Sequence, residues 1–267
     1  MIKDLINGLI KTLKIKASEN LLIKKIILLI RMIIIIFLTI VARFDLRKEV
    51  AKRKTIEDYI DLSFSYNYTP IKGIRFKIIF RALQIKNELQ KFIELIAKYH
   101  PQVVLEIGTA RGGNLFLLTK VSNPNAHLIS LDLPGGKYGG GYSRWVGYFF
   151  KSFALDTQKI SLIRADSHKV STLNKLKKIL KDTPIDVLYI DGDHSYEGVK
   201  KDFEMYGPLV KKGGIIAFHD IVIHPPEINC NVNKYWNEIK HNFEYKEFVE
   251  NWDQKMCGIG IIIKNNT

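Results

Sequence analysis

Short apolar runs recur along the last two-thirds of the chain: VVLEI (103–107), HLISLD (127–132), ISLIR (160–164), IDVLYI (185–190) and GGIIAF (213–218). Runs of this length rich in Val, Ile and Leu read as strands buried on both faces. Residues 85–99 read as an amphipathic helix ahead of the first run. The alternation with helical stretches predicts parallel strands joined by crossover helices. Near the end the pattern changes. Residues 235–241 read as helical, 245–250 and 258–264 as strands, and Glu250-Asn251-Trp252-Asp253 as the turn between them. The expectation is an α/β fold: a doubly wound, mostly parallel seven-stranded sheet ending in an antiparallel hairpin strand, with a helical extension at the N-terminus.

That extension has a different pattern. Ile2, Leu5, Ile6, Leu9, Ile10 and Leu13 form a helical stripe with Lys3, Lys11 and Lys14 among the polar positions, and Met32 to Ala42 is uncharged and apolar except for Thr39. Extended back to Ile26 the run reaches 17 residues with Arg31 inside it, short of the roughly 20 that a membrane span requires. Charge sharpens the picture. Of a net +14, the first 100 residues hold 20 Lys and Arg against 9 Asp and Glu, and the remaining 167 hold 21 against 18. Basic residues on both sides of an interrupted apolar run suit a helix lying on an anionic membrane surface. The competing reading is a helical cap or dimerisation surface packed on protein, which leaves room for a homo-oligomer. A cleavable signal peptide fits poorly, because the run starts late and no small-x-small site follows. Nucleic acid is not expected as a partner, since the basic residues are diluted by aliphatics. The predicted organisation is 1–54 as the basic extension, 55–100 as a linker and a helix, and 101–267 as the catalytic domain. Within the second part, residues 55–68, closed by Thr69-Pro70, read as a linker or substrate-side segment. The two cysteines, Cys230 and Cys257, form neither a disulfide framework nor a zinc spacing, which points to a reducing, cytoplasmic setting; Cys257, beside GIGIII, reads as a core thiol.

The chemistry concentrates where apolar runs end. In open parallel sheets, ligands bind beyond the carboxyl ends of the strands. After VVLEI comes a glycine turn in which Gly108 can take positive φ, Gly112 and Gly113 permit close backbone approach, and a helix starts near Gly112. Asp132, at the end of the second run, is placed to hold ribose hydroxyls. Read as a dinucleotide fingerprint, the turn is Gly108-x-Ala110-x-x-Gly113, without its second glycine. Read as E-x-G-x-x-x-G from Glu106 through Gly108 and Thr109 to Gly112, it resembles the first motif of class I S-adenosylmethionine-dependent methyltransferases. The stretch VLYIDGDHSYEGVKKDFEMYGPLVKKGGIIAFHDI resembles a subgroup of that family related to catechol-type and cephalosporin-hydroxylase-like proteins, and the likeness extends from about Gln102 to Lys264.

The resemblance implies S-adenosylmethionine as cofactor, bound by Glu106, Gly108, Thr109, Gly112, Asp132, Asp166, Ser167 and Asp191, with Asp166 and Ser167 near the adenine. It implies methyl transfer to a hydroxyl on a small molecule, sugar or lipid. The glycine-rich stretch 135–141, with Tyr138, Tyr142 and Trp145 interleaved, reads as a mobile lid. Two routes to the hydroxyl stay open. In one, carried over from catechol-type relatives, Asp191, His219 and Asp220 hold a divalent metal; His219 departs from that pattern, because hard Mg²⁺ prefers oxygen. In the other, His194 or His219 acts as general base with Asp191 beside it. Asp193 reads equally as a helix cap, His224-Pro225-Pro226-Glu227 as a stiff wall over the acceptor pocket, and Glu227 and Trp236 as weaker acceptor contacts. The alternatives are a nucleotide-dependent oxidoreductase or sugar-modifying enzyme on a similar sheet, or a non-catalytic membrane-associated scaffold.

Overall fold

The computed structural model describes residues 21–69, 78–136, 141–155 and 157–265. Five parallel strands form its centre: β3 (Val103–Ile107), β4 (His127–Asp132), β5 (Lys159–Arg164), β6 (Ile185–Ile190) and β7 (Val210–His219). A short antiparallel ribbon, β1 (Asn67–Tyr68) with β2 (Ile78–Ile79), lies apart from them. The last strands, β8 (Glu244–Phe248) and β9 (Ile259–Ile263), complete a seven-stranded sheet in the order β5-β4-β3-β6-β7-β9-β8. β9 runs antiparallel between β7 and β8, so the terminal hairpin expected from the pattern is present.

Every residue of β3 and β6 is buried, as expected of central parallel strands covered on both faces. Alternation divides them between two cores: Val104, Val187 and Tyr189 face one layer, and Leu105, Leu188 and Ile190 the other. Three helices covering the sheet are α3 (Lys86–Tyr99), α4 (Gly113–Val121) and α5 (Arg144–Phe150); three more are α6 (Val170–Leu180), α7 (Tyr196–Tyr206) and α8 (Val232–Ile239).

Residues 55–68, read from sequence as a linker or substrate-side segment, are largely helical. Thr55 and Asp58 close a capping box at the start of α2 (Ile56–Ser65), which satisfies free amides of its first turn. Ahead of it, α1 (Leu21–Ala51) is apolar nearly all round. Its later turns bury Leu38, Ala42 and Leu46, Tyr66 Oη donates to Ala42 O at 3.3 Å, and the helix packs on α5. Its earlier turns leave Leu22, Leu28, Leu29, Ile33 and Phe37 more than half exposed. By length and composition it is long and apolar enough to cross a membrane. The stripe at residues 2–13 lies outside the described residues.

The chain's two halves are joined by a buried acid. Glu88 on α3 accepts bonds from the backbone N–H groups of Glu250 (2.9 Å) and Gly258 (2.8 Å) and from the Gln254 side chain (2.7 Å). The β8–β9 connection is thereby fastened to the layer in front of β3.

Candidate active site

The strand order reverses between β3 and β6, and at their carboxyl ends lies a cavity of about 710 Å³. Its floor depends on Gly108. At φ +88°, with its N–H donated to Leu131 O at 2.9 Å, this residue passes so close to β6 that a Cβ would stand 1.8 Å from Asp191 O. Gly113 is equally confined: a Cβ there would stand 2.0 Å from Ala82 N. Residues 80–85 therefore lie directly across the glycine turn, fixed by Arg81 N donating to Arg111 O (3.2 Å) and Ala82 N to Ser63 O (3.0 Å). Leu83, Gln84 and Ile85 line the cavity. No motif marks this segment, and the one sequence signal pointing to it is the need for glycine at Gly113.

Five of the residues expected to bind cofactor line the cavity: Gly108, Asp132, Asp166, Ser167 and Asp191. Asp132 is 3% exposed and accepts the Ala110 N–H at 2.6 Å, a bond that holds Ala110 at φ +44°. Burial raises its pKa against that bond. Asp166 accepts the His168 N–H at 2.9 Å, a local turn that leaves it on the cavity wall. Asp193 does the same for Ser195 N–H (2.9 Å), while the N-cap of α7 is Ser195 itself.

Glu106, Thr109 and Gly112 stand behind the wall. Thr109 shares a 2.6 Å hydrogen bond with Ser130, which also meets Tyr142 Oη at 3.0 Å. Gly112 leaves room for the Phe150 ring, 2.6 Å from where a Cβ would be. Glu106 is 1% exposed, and among the described residues neither carboxyl oxygen has a hydrogen-bond partner. Burial pushes its pKa up to about 8, against the neighbouring Thr109 hydroxyl, which works to lower it, and with the nearby charges of Asp191 and Asp132, so at neutral pH it is a protonated acid. Residues 137–140 of the glycine-rich stretch, including Tyr138, lie outside the described residues; Tyr142 is buried against Phe150, and Trp145 lies on α5 beside Tyr148.

The ionisable groups converge at the tips of β6 and β7. Asp191 Oδ1 accepts from His219 Nδ1 at 2.9 Å and lies 3.9 Å from His194 Nε2. Asp220, at φ +64°, is surrounded by three imidazoles. His194 Nδ1 lies 2.5 Å from Oδ2, and His219 Nδ1 and His224 Nε2 lie 3.3 and 3.2 Å from Oδ1. Burial opposes charge on His219, but the carboxylates of Asp191 and Asp220 outweigh it and hold the ring well above its usual pKa. His194 rises to about 10 in the same way: burial works against it and the Asp220 hydrogen bond overcomes it. Burial alone would raise Asp220, yet the surrounding imidazoles carry it well below the carboxylate range. The cluster is thus a set of ion pairs in a protein-lined pocket.

These geometries test the expected metal triad. A hard cation there would need the Asp191 and Asp220 carboxylates turned toward a common point, but His219 Nδ1 already lies between them, 2.9 Å from one and 3.3 Å from the other. The imidazolium supplies the positive charge there, and the donors do not fit Mg²⁺. Asn229 and Met256 on the rim complete the pocket, together with Cys257, which is buried as read from sequence and also lines the cavity.

Residues 105–221 match the family model described as "Methyltransferase domain". An uncharacterised protein of Sinorhizobium fredii is 24% identical over 149 residues, 54% of this chain; the match spans 16% of that relative's length. Among solved structures, cofactor-bound Rv0187 from MTB is similar at 13% identity and a TM-score of 0.51, over 79% of this chain and 88% of its own. An O-methyltransferase candidate from Klebsiella pneumoniae gives the same identity and TM-score over 70% and 84%. At this identity the two structures establish a shared Rossmann-like methyltransferase fold.

Proposed function

We propose, from the premise that residues 105–221 form a methyltransferase domain, that the chain transfers a methyl group from S-adenosylmethionine to a hydroxyl of a small molecule, sugar or lipid. One observation carries the reading: the matched segment supplies both the glycine turn and the strand tips that line the cavity, so cofactor-binding and proton-handling residues face one space. When bound, S-adenosylmethionine supplies an electrophilic methyl group on a sulfonium.

The chain's own residues handle the rest. Gly108 lets the backbone of β3 and β6 approach the ligand, Asp132 accepts ribose hydroxyls, and Asp166 with Ser167 borders the base. Transfer is an in-line displacement, so alignment of the acceptor is the main task of the protein. Asp191 holds and takes the hydroxyl proton, because its carboxylate lines the cavity. His219 positions that carboxylate through its 2.9 Å bond, and His194 faces the same oxygen from the other side.

The test is direct. Full-length protein should be stabilised against heat by S-adenosylhomocysteine and not by dinucleotides, and should move label from the methyl donor into an acceptor in lipid, glycan or metabolite extracts. Asp191→Asn should lower turnover far more than cofactor affinity. Stabilisation by NAD in place of S-adenosylhomocysteine would favour an oxidoreductase instead.

The bare apolar turns of α1, flanked by Lys24, Lys25, Arg43 and Arg47, support attachment at the inner face of an anionic membrane. Co-sedimentation with anionic vesicles that weakens in high salt and disappears with neutral vesicles checks this. Indifference to every vesicle would leave α1 as a surface for protein.

A further inference from the structure

Asp220 has two faces, and they are used differently. Oδ1 accepts from Cys257 N–H at 3.1 Å and from His224 Nε2 at 3.2 Å; His224 is in turn held by Nδ1 donating to Val222 O at 3.0 Å. Oδ2 turns toward a nitrogen and a sulfur instead: His194 Nδ1 at 2.5 Å and Cys230 Sγ at 3.9 Å. These three donor atoms, from the loop after β6, the tip of β7 and the segment before α8, all lie within 4.8 Å of one another.

We infer that His194, Asp220 and Cys230 form a binding site for a borderline-soft divalent cation of the zinc type. One imidazole nitrogen, one carboxylate oxygen and one thiolate suit such an ion and are a poor set for Mg²⁺, which demands near-octahedral oxygen. Three protein ligands leave a fourth position open, and two of them, His194 and Asp220, line the cavity, with the other nitrogen of His194 3.9 Å from Asp191. Cys257 N–H and His224 form the outer layer that fixes the ligating carboxylate. Loading releases two protons, the one held between His194 Nδ1 and Asp220 Oδ2 and the one on the Cys230 thiol, as the two metal bonds to nitrogen and sulfur form. Sequence spacing hides the site because its ligands are spread over 37 positions with no Cys-x-x-Cys or His-x-x-x-His pair. The inference does not rest on methyl transfer, so either can fail alone.

Full-length protein stripped by chelator dialysis and titrated with Co²⁺ should bind one ion per chain, with visible absorption of a four-coordinate site and a thiolate-to-cobalt charge-transfer band in the near ultraviolet. Zn²⁺ should displace the Co²⁺, and excess Mg²⁺ should not. Cys230→Ser should remove the charge-transfer band, and both Cys230→Ser and His194→Ala should weaken Zn²⁺ by at least about 100-fold, more than the loss of an outer-layer partner. Cys257→Ser should leave band and stoichiometry in place. Circular dichroism of each variant separates lost binding from lost fold, and His194→Ala carries the test if Cys230→Ser does not fold. No uptake, uptake unchanged in folded variants, competition by Mg²⁺, or loss of the band in Cys257→Ser alone would each overturn the assignment.

Discussion

Glu106→Gln isolates the energetics of an acid buried in the core. The side chain keeps its shape, so the substitution removes the ability to ionise and little else. In the folded chain the carboxyl has a pKa of about 8, against 4.5 for an ordinary glutamate. An acid whose folded pKa is raised binds its proton more tightly when folded. Its contribution is therefore fully present below pH 4.5 and is lost as pH climbs toward 8, because the unfolded chain ionises first. At 1.36 kcal/mol per pKa unit, the wild type should lose about 3 kcal/mol relative to Glu106→Gln by pH 7 and about 4 kcal/mol by pH 8. Urea unfolding of both proteins at pH 5, 6, 7 and 8 provides the assay, and the difference between them cancels every other titrating group. Glu106→Gln should be the more stable protein at pH 7, with a gap that widens upward. A gap that stays constant from pH 5 to pH 8 would refute the reasoning, since it would mean that Glu106 ionises normally inside the fold.

Other substitutions test the turn and the helices around it. Gly108→Ala places a Cβ 1.8 Å from Asp191 O at φ +88°, and should destabilise the fold by about 3 kcal/mol or more and abolish stabilisation by S-adenosylhomocysteine in a thermal-shift assay. Asp132→Ala should weaken S-adenosylmethionine by about 1.5–3 kcal/mol in calorimetry; unchanged affinity in a folded variant would remove it from the site. Leu46→Ala, at 1% exposure, should lower stability by about 2–4 kcal/mol, and a chain starting at residue 37 should unfold at a higher urea concentration than one starting at residue 55.

The parallel sheet could be read in advance because its strands are short, mostly apolar runs, and β4, β6 and β7 lead into an acid or histidine at the ligand edge. That is why Asp132, Asp191, His194 and His219 could be named as site residues from pattern alone, and the structure lines the cavity with all four. Glu106 shows what a motif leaves out: it gives the residue's place on β3 but not that strand alternation turns its carboxyl into the core. The cluster around Asp220 was hidden for a different reason. Asp193 and His194 had visible neighbours in sequence, whereas Cys230 reaches Asp220 through the fold of the loop between β7 and α8, and Cys257 because the β8–β9 hairpin folds back beside β7. Residues 80–85 carried no chemical signal, since they act through backbone atoms laid across the glycine turn. Residues 55–68 resembled a linker because their helix is short and depends on its Thr55–Asp58 cap.

The position of β9 has a consequence for biosynthesis. This strand separates β7 from β8 although it follows both in sequence, and Met256 and Cys257, just before it, close one wall of the cavity. Glu88, made some 160 residues earlier, stays a buried acid in want of partners until Glu250, Gln254 and Gly258 arrive. A chain still emerging from the ribosome can form the layers around β3 to β6, but it holds an open pocket and an unmet carboxylate until the β8–β9 segment has emerged. Ligand competence should therefore appear only once residues 244–263 have emerged and paired, and chains cut off before β8 should be poor binders that are readily cleared.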